Sequence, residues 1–312
     1  MEKQEMNREE WCNTANWHGP KLLSVYVSRR DSRLWVPKQV SSMGWTMNLG
    51  HRRALVGLGL IGLAVILLPV VIIMSIRRSA LISAAEPWLW LATSLSLAIA
   101  AVFPNGLCRY RLSWVFVGMT FGFFAALTGF GIQGLFNGPV VTLLGAANLT
   151  WHSHLYLALA GAAAQTFGKC LFVPLGWKVL RAAGLSDKVR VGLLVGLGFT
   201  VLEICLLWSQ AVWAQTSFAD WRIGALERGV SSVFHIYATG LLAMGLARRQ
   251  YSLFALVIAV HFLTDWFVGA NATLLHLTAI QMELWFAAAA AIIWVTFLVV
   301  TRKVVGELPS AA

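Results

Sequence analysis

Apolar stretches near the ~20 residues that an α-helix needs to cross a bilayer recur eight times along this 312-residue chain. They cover about residues 54–74, 87–103, 113–133, 155–175, 190–214, 229–247, 251–270 and 278–301, the second being short. The pattern predicts an all-α fold, a polytopic transmembrane helical bundle of about eight spans over residues 51–304, with 305–312 as a C-terminal tail. Residues 1–50 differ: mixed charge, Trp11, Trp17, Trp35 and Trp45 without helical periodicity, and the turn-like "HGPK" and "WVPK". They are expected to lie outside the bundle, either disordered or not native, with "MNLGHRR" from Met47 as a natural start because two arginines directly precede the first span. No secretory signal peptide is expected there, since no apolar core is followed by a small-residue cleavage site. Between the third and fourth spans, "GLFNGPVVTLLGAANLT" is uncharged but broken by glycine and proline, and is expected in the outer interface or as a re-entrant segment.

Composition agrees with membrane insertion. The chain is 58% hydrophobic and only 12% charged, with a mean hydropathy of +0.71, against roughly 25% charged residues in soluble domains. The net charge of +11 raises the question of nucleic acid, but the basic residues follow the topology. With the N-terminus inside, nineteen of the 24 Lys/Arg fall on inside segments, four on outside loops, and Lys169 within a span. This asymmetry predicts cytoplasmic termini in a cell membrane and accounts for the charge without a nucleic-acid partner. Cys12, Cys108, Cys170 and Cys205 are scattered singly, so neither a disulfide framework nor a zinc ribbon is indicated.

Two local patterns are discounted. "GLGLIG" from Gly57 has dinucleotide-fingerprint spacing but opens an apolar span instead of following a strand. His152 and His154 in "WHSH" are read as interfacial, beside the aromatic belt. The sequons at Asn148 and Asn271 carry little weight without knowledge of the compartment.

Ionisable groups at mid-span cost about 2.5–3.5 kcal/mol each and therefore face a bundle interior or mark a site. Spans one to three hold none; the fourth holds Lys169, the fifth Glu203, the sixth His235, the seventh His261 and Asp265, and the eighth Glu283 near its outer end. His261 and Asp265 are four apart, on one helix face. A polar core within residues 155–270 is therefore expected, in which imidazoles and carboxylates hold a water or a divalent metal such as zinc for hydrolysis. Separate helix-to-helix hydrogen bonds and proton relay are the other readings of the same residues; a transporter is disfavoured because the halves show no inverted repeat.

These motifs resemble a known superfamily, the CPBP-type (CAAX protease-like) intramembrane proteases, and within it the PrsW and YhfC families. "GLGFTVLE" (196–203) resembles the glycine-rich segment ending in glutamate, with Glu203 at the carboxylate position. "LERGVSSVFHIYATGLLAMGLA" (226–247) resembles the next span, with Glu227 and Arg228 at its mouth and His235 inside, and "HFLTD" (261–265) matches His-x-x-x-Asp. The resemblance implies an intramembrane peptidase in which Glu203, His235, His261 and Asp265 are catalytic, His235, His261 and Asp265 bind a metal, and Lys169, Glu227 and Arg228 support them. A membrane-protein or peptide substrate is implied, with membrane lipid as surroundings. Two departures stand out. Where the family carries a Glu-Glu pair this chain reads "AAAQTFGK" (162–169), which keeps the basic Lys169 but leaves no carboxylate at Ala164, Gln165 or Thr166; and Phe199 stands where YhfC-type members have histidine. The loss of the paired glutamates makes a catalytically degenerate protein, binding or scaffolding membrane partners through the same cavity, the alternative function.

Overall fold

The computed structural model describes residues 2–18, 24–39, 45–51, 54, 84–102, 112–214 and 220–306. The first expected span beyond Ala54, the "GLGLIG" stretch and Cys108 lie outside them.

Far from lacking order, the N-terminal segment forms a small folded unit. Helix α1 (Glu2–Cys12) is followed by two antiparallel ribbons, β1 (Trp17–His18) with β2 (Val25–Tyr26) and β3 (Trp35–Pro37) with β4 (Trp45–Met47). Trp17, Tyr26 and Val36 are buried together with Trp11 against them. Both indoles find acceptors, Trp11 at the Pro37 carbonyl and Trp17 at the Trp11 carbonyl, each at 2.8 Å, as buried indole N–H groups require. Asn48 closes the unit: its side-chain oxygen accepts from the Ser28 and Gly50 amides, and its nitrogen donates to the Asp31 and Arg33 carbonyls. The expected start at Met47 would thus cut β4 from the partners that precede it.

An ion pair between a buried Asp31 and a partly exposed Arg33 sits in that unit. The fully covered Asp31 carboxylate accepts from Arg33 Nε (2.9 Å) and Nη2 (2.6 Å) and from the Tyr26 hydroxyl (3.0 Å). Burial alone would raise the Asp31 pKa, but the Arg33 hydrogen bonds outweigh it and hold the carboxyl below its ordinary value. The Tyr26 hydroxyl is pushed up by burial and by its bond to Asp31. The unit rests on one end of the bundle: Val27 and Leu49 share an apolar cluster with Val179, Leu180 and Ala182. His18, its pKa lowered by burial, also feels Lys178 at that end.

The bundle comprises α2 (Ala85–Ala100), α3 (Leu112–Leu144), α4 (Trp151–Leu180), α5 (Leu185–Trp213), α6 (Trp221–Arg248), α7 (Tyr251–Ala270) and α8 (Ala279–Gly306). The fold is all-α, and the six helices α3 to α8 are long and apolar enough to cross a membrane. The second expected span is α2, whose 16 residues reach about 24 Å at 1.5 Å per residue, short of a ~30 Å hydrocarbon core. Six of the eight expected spans are thus described helices of spanning length, the second is the shorter α2, and the first, beyond Ala54, lies outside the described residues.

The other correction concerns residues 134–144. Instead of an interfacial or re-entrant loop they continue α3 without a break, through Pro139, to Leu144, and Gly145 at φ +75° ends the helix. Proline removes a backbone donor, which a membrane helix tolerates when its neighbours satisfy the freed carbonyl. The longer α3 lies along α4 and α5, and it carries Gln133 and Asn137 to the level of the polar core.

Helices α5 and α6 form the centre, their apolar stretches mostly buried, whereas those of α7 and α8 are mostly not. Close packing depends on the glycines of "GLGFTVLE". A Cβ on Gly196 would stand 2.7 Å from Ile236 Cα on α6, and one on Gly198 would stand 2.1 Å from the Met119 carbonyl oxygen on α3. Small residues that let backbones approach are the usual device for joining helices in lipid. Here they press α5 between its two neighbours and bring Glu203 level with His235.

Candidate functional site

Polar side chains from four consecutive helices meet at mid-bundle. Lys169 on α4, 1% exposed, points its Nζ at His235 Nδ1 on α6, 2.8 Å away. The other imidazole nitrogen, Nε2, lies 3.3 Å from Glu203 Oε2 on α5. An ammonium only donates, so Nδ1 accepts; the proton is then on Nε2, which donates to the carboxylate. The tautomer follows from the partners. Lys169, His235 and Glu203 thus form a line in which one positive and one negative charge are joined through a neutral imidazole. The Lys169 ammonium also lies 4.0 Å above the Phe199 ring. A phenyl face there stabilises the cation without competing for the proton.

His261 and Asp265 complete the cluster from α7. Their Nε2 and Oδ2 atoms are 3.6 Å apart, an ion-pair separation beyond direct hydrogen-bonding distance. The two imidazoles stand edge to face at 5.2 Å between centroids, with Phe234 against both. His261 is 3% exposed, and its Nδ1 is buried with no hydrogen-bond partner. At the mouth, Glu227 and Arg228 form an ion pair, and Ser232 Oγ donates to the Arg228 carbonyl. Glu283 on α8 lines the same cavity as this pair.

The expected metal centre at His235, His261 and Asp265 does not fit this donor geometry. Both His235 nitrogens are engaged, one of them by a cation, and a metal also needs deprotonated lone pairs converging on one point. Among the described residues, no three His, Cys, Asp or Glu side chains are placed to hold an ion.

Two cavities open from the cluster. One of about 580 Å³ lies among α3, α4, α5 and α7 and is lined by Gln133, Asn137, His154, Gln165 and Gln210. The other, of about 400 Å³, is lined by Arg228, His235, His261, Thr264 and Glu283. Both share Gln165, Glu203, Asp265 and Val268, so the two carboxylates stand where the cavities meet. Gln165 donates from Nε2 to Gln133 Oε1 at 3.1 Å. Its own Oε1 is buried and unpartnered, as is Thr166 Oγ1.

Every residue expected at the site from α4 to α7 is therefore brought to this region, with Glu227 and Arg228 at its edge. The neutral residues were missed. Gln133 and Asn137 sit at i, i+4 on α3, the spacing that exposes one polar stripe on an apolar helix, and attention to amides as well as charges would have found them. His154, read as interfacial, lines the larger cavity and packs against Gly269, where a Cβ would stand 2.4 Å from its Nδ1.

Comparison with known proteins reaches only the N-terminal unit. A family of unknown function (DUF5808) matches residues 29–55, the stretch that holds Asp31, Arg33, β3, β4 and Asn48. No curated protein and no solved structure matches the chain.

Proposed function

We propose that this chain is an intramembrane peptidase of the PrsW/YhfC kind, hydrolysing a peptide bond in or beside the bilayer without a metal. The observation that carries the reading is the position of Glu203 and Asp265, one from α5 and one from α7, at the junction of two cavities. Glu203, held by His235 Nε2–H, takes a proton from a water. The water oxygen adds to the substrate carbonyl carbon. The C–N bond then breaks and the leaving nitrogen receives a proton, with Asp265 and His261 at hand to hold it. Lys169, joined to Glu203 through the His235 ring, adds a positive charge to the same buried line.

The supporting arguments are the motif resemblance over residues 155–270 and the rarity of mid-membrane ionisable groups without a role. The lysine and arginine distribution supports cytoplasmic termini in the cell membrane. The test is cleavage of a transmembrane reporter by protein purified in detergent and returned to vesicles. Cleavage that survives a chelator but is lost in both Glu203→Gln and His261→Ala supports the reading. A second reading rests on the Gln165–Gln133 amide pair standing where the resembling family has carboxylates: a non-catalytic scaffold that binds membrane partners in the same cavities. A well-folded protein that cleaves nothing under any condition would favour it.

A further inference from the structure

From the lining of the larger cavity we infer that it is a backbone-recognition subsite, built to satisfy the peptide groups of an unwound, extended substrate segment. This rests on the peptidase reading, since it names what reaches Glu203 and how it is held. A helix is the form in which a chain crosses lipid because its N–H and C=O groups are satisfied internally; an extended chain at that depth must find other partners for them. A peptide bond is buried inside the helix and must be unwound before a water can attack it.

The cavity supplies such partners. Gln133 and Asn137 on α3, Gln165 on α4 and Gln210 on α5 all line it. A carboxamide carries both a donor and an acceptor, the same pair a peptide group carries. Two of the acceptors are vacant. Gln165, 5% exposed, spends its nitrogen on Gln133 and leaves Oε1 buried without a partner. Asn137 spends its nitrogen on the Leu157 carbonyl at 3.2 Å and likewise leaves Oδ1 buried and unpartnered. Two fixed acceptors without donors are costly in an apolar protein, and a backbone N–H relieves that cost.

The carboxylates decide against a lipid headgroup phosphate, which Glu203 and Asp265 would repel at one wall of this cavity. They suit a neutral backbone. Gln165 lines both cavities beside the carboxylates, so a chain held on its Oε1 is delivered to the junction.

The test measures binding apart from cleavage. The probe is a fluorescein-labelled Leu/Ala octapeptide with capped ends, alongside the same peptide N-methylated at alternate residues, which removes backbone donors and keeps side chains. Anisotropy is read with protein in nanodiscs, using the unmodified sequence and Glu203→Gln. The parent peptide is expected to bind at least about tenfold more tightly than the methylated one, the worth of one good hydrogen bond. Gln165→Met and Asn137→Leu, which keep side-chain volume, should each weaken the parent and erase its advantage over the methylated peptide. Melting curves close to the unmodified protein's show that these variants fold; should either fail to fold, Gln210→Met supplies the same comparison. Equal binding of the two peptides, unchanged binding in the folded variants, or no binding by either peptide would overturn the subsite. Gln165-dependent binding without any cleavage would leave the subsite standing and refute the peptidase reading instead.

Discussion

Lys169→Met removes the cation that contacts His235 of the Glu203–His235 pair and keeps the length of the side chain. The structure gives three losses: the 2.8 Å contact with His235, the 4.0 Å approach to the Phe199 ring, and the charge that balances Glu203. These overlap, because all follow from one ammonium. Breaking a buried pair by removing one partner costs about 3–5 kcal/mol, whereas replacing both partners with neutral groups of similar shape costs far less. Lys169→Met should therefore destabilise by about 3–5 kcal/mol, Glu203→Gln by a similar amount, and the double variant by only about 1–2 kcal/mol. The cycle then closes with a coupling of several kcal/mol. Reversible unfolding in mixed micelles, followed by tryptophan fluorescence, measures all four proteins. Additive single effects, with coupling within about 0.5 kcal/mol of zero, would show that Lys169 and Glu203 do not belong to one charge line.

Other outcomes follow from the packing and from the N-terminal unit. Gly196→Leu should cost at least about 1–3 kcal/mol through overpacking, since even a Cβ stands 2.7 Å from Ile236 Cα, and should separate Glu203 from His235; a thermal melt that matches the unmodified protein would contradict this. Because the folded Asp31 pKa lies below its ordinary value, Asp31 contributes stability that is complete above the ordinary value and is lost as pH falls through the folded one. Limited proteolysis of residues 1–50 should thus rise below about pH 4, and Asp31→Asn, costing about 2–3 kcal/mol of charged hydrogen bonding, should flatten that pH response. Cys12 is exposed and Cys205 buried: in a variant retaining only Cys12, a membrane-impermeant maleimide should label it only after the cytoplasmic face is opened, and labelling of intact cells would reverse the topology.

The sequence yields the bundle readily because long apolar runs leave one physical solution in lipid, the helix. It yields the charged site for a related reason: Lys169, Glu203, His235, His261 and Asp265 are too costly in hydrocarbon to be scattered. Three things stayed hidden. The reach of α3 past Pro139 was obscured by soluble-protein rules for proline, which neighbouring helices relax. The amide lining was obscured because Gln133, Asn137 and Gln165 are cheap enough in a membrane helix to pass as packing. The N-terminal unit was obscured because its order comes from Asn48 and Asp31 gathering distant backbone groups, a pattern without periodicity. The metal expectation came from residue types and the motif resemblance, neither of which carries the placement of Lys169 on His235 Nδ1.

The central claim is that Lys169, His235 and Glu203 make one line at the centre of the bundle. Magic-angle-spinning NMR of the protein in bilayers, with labelled histidine and glutamate, tests it directly through the coupling between the His235 Nε2 nitrogen and the Glu203 side-chain carboxyl. A strong short-range correlation, with the proton on Nε2 and lost in Glu203→Gln, is the expected result. A His235 ring protonated on Nδ1, or one without contact to any carboxyl, would contradict it.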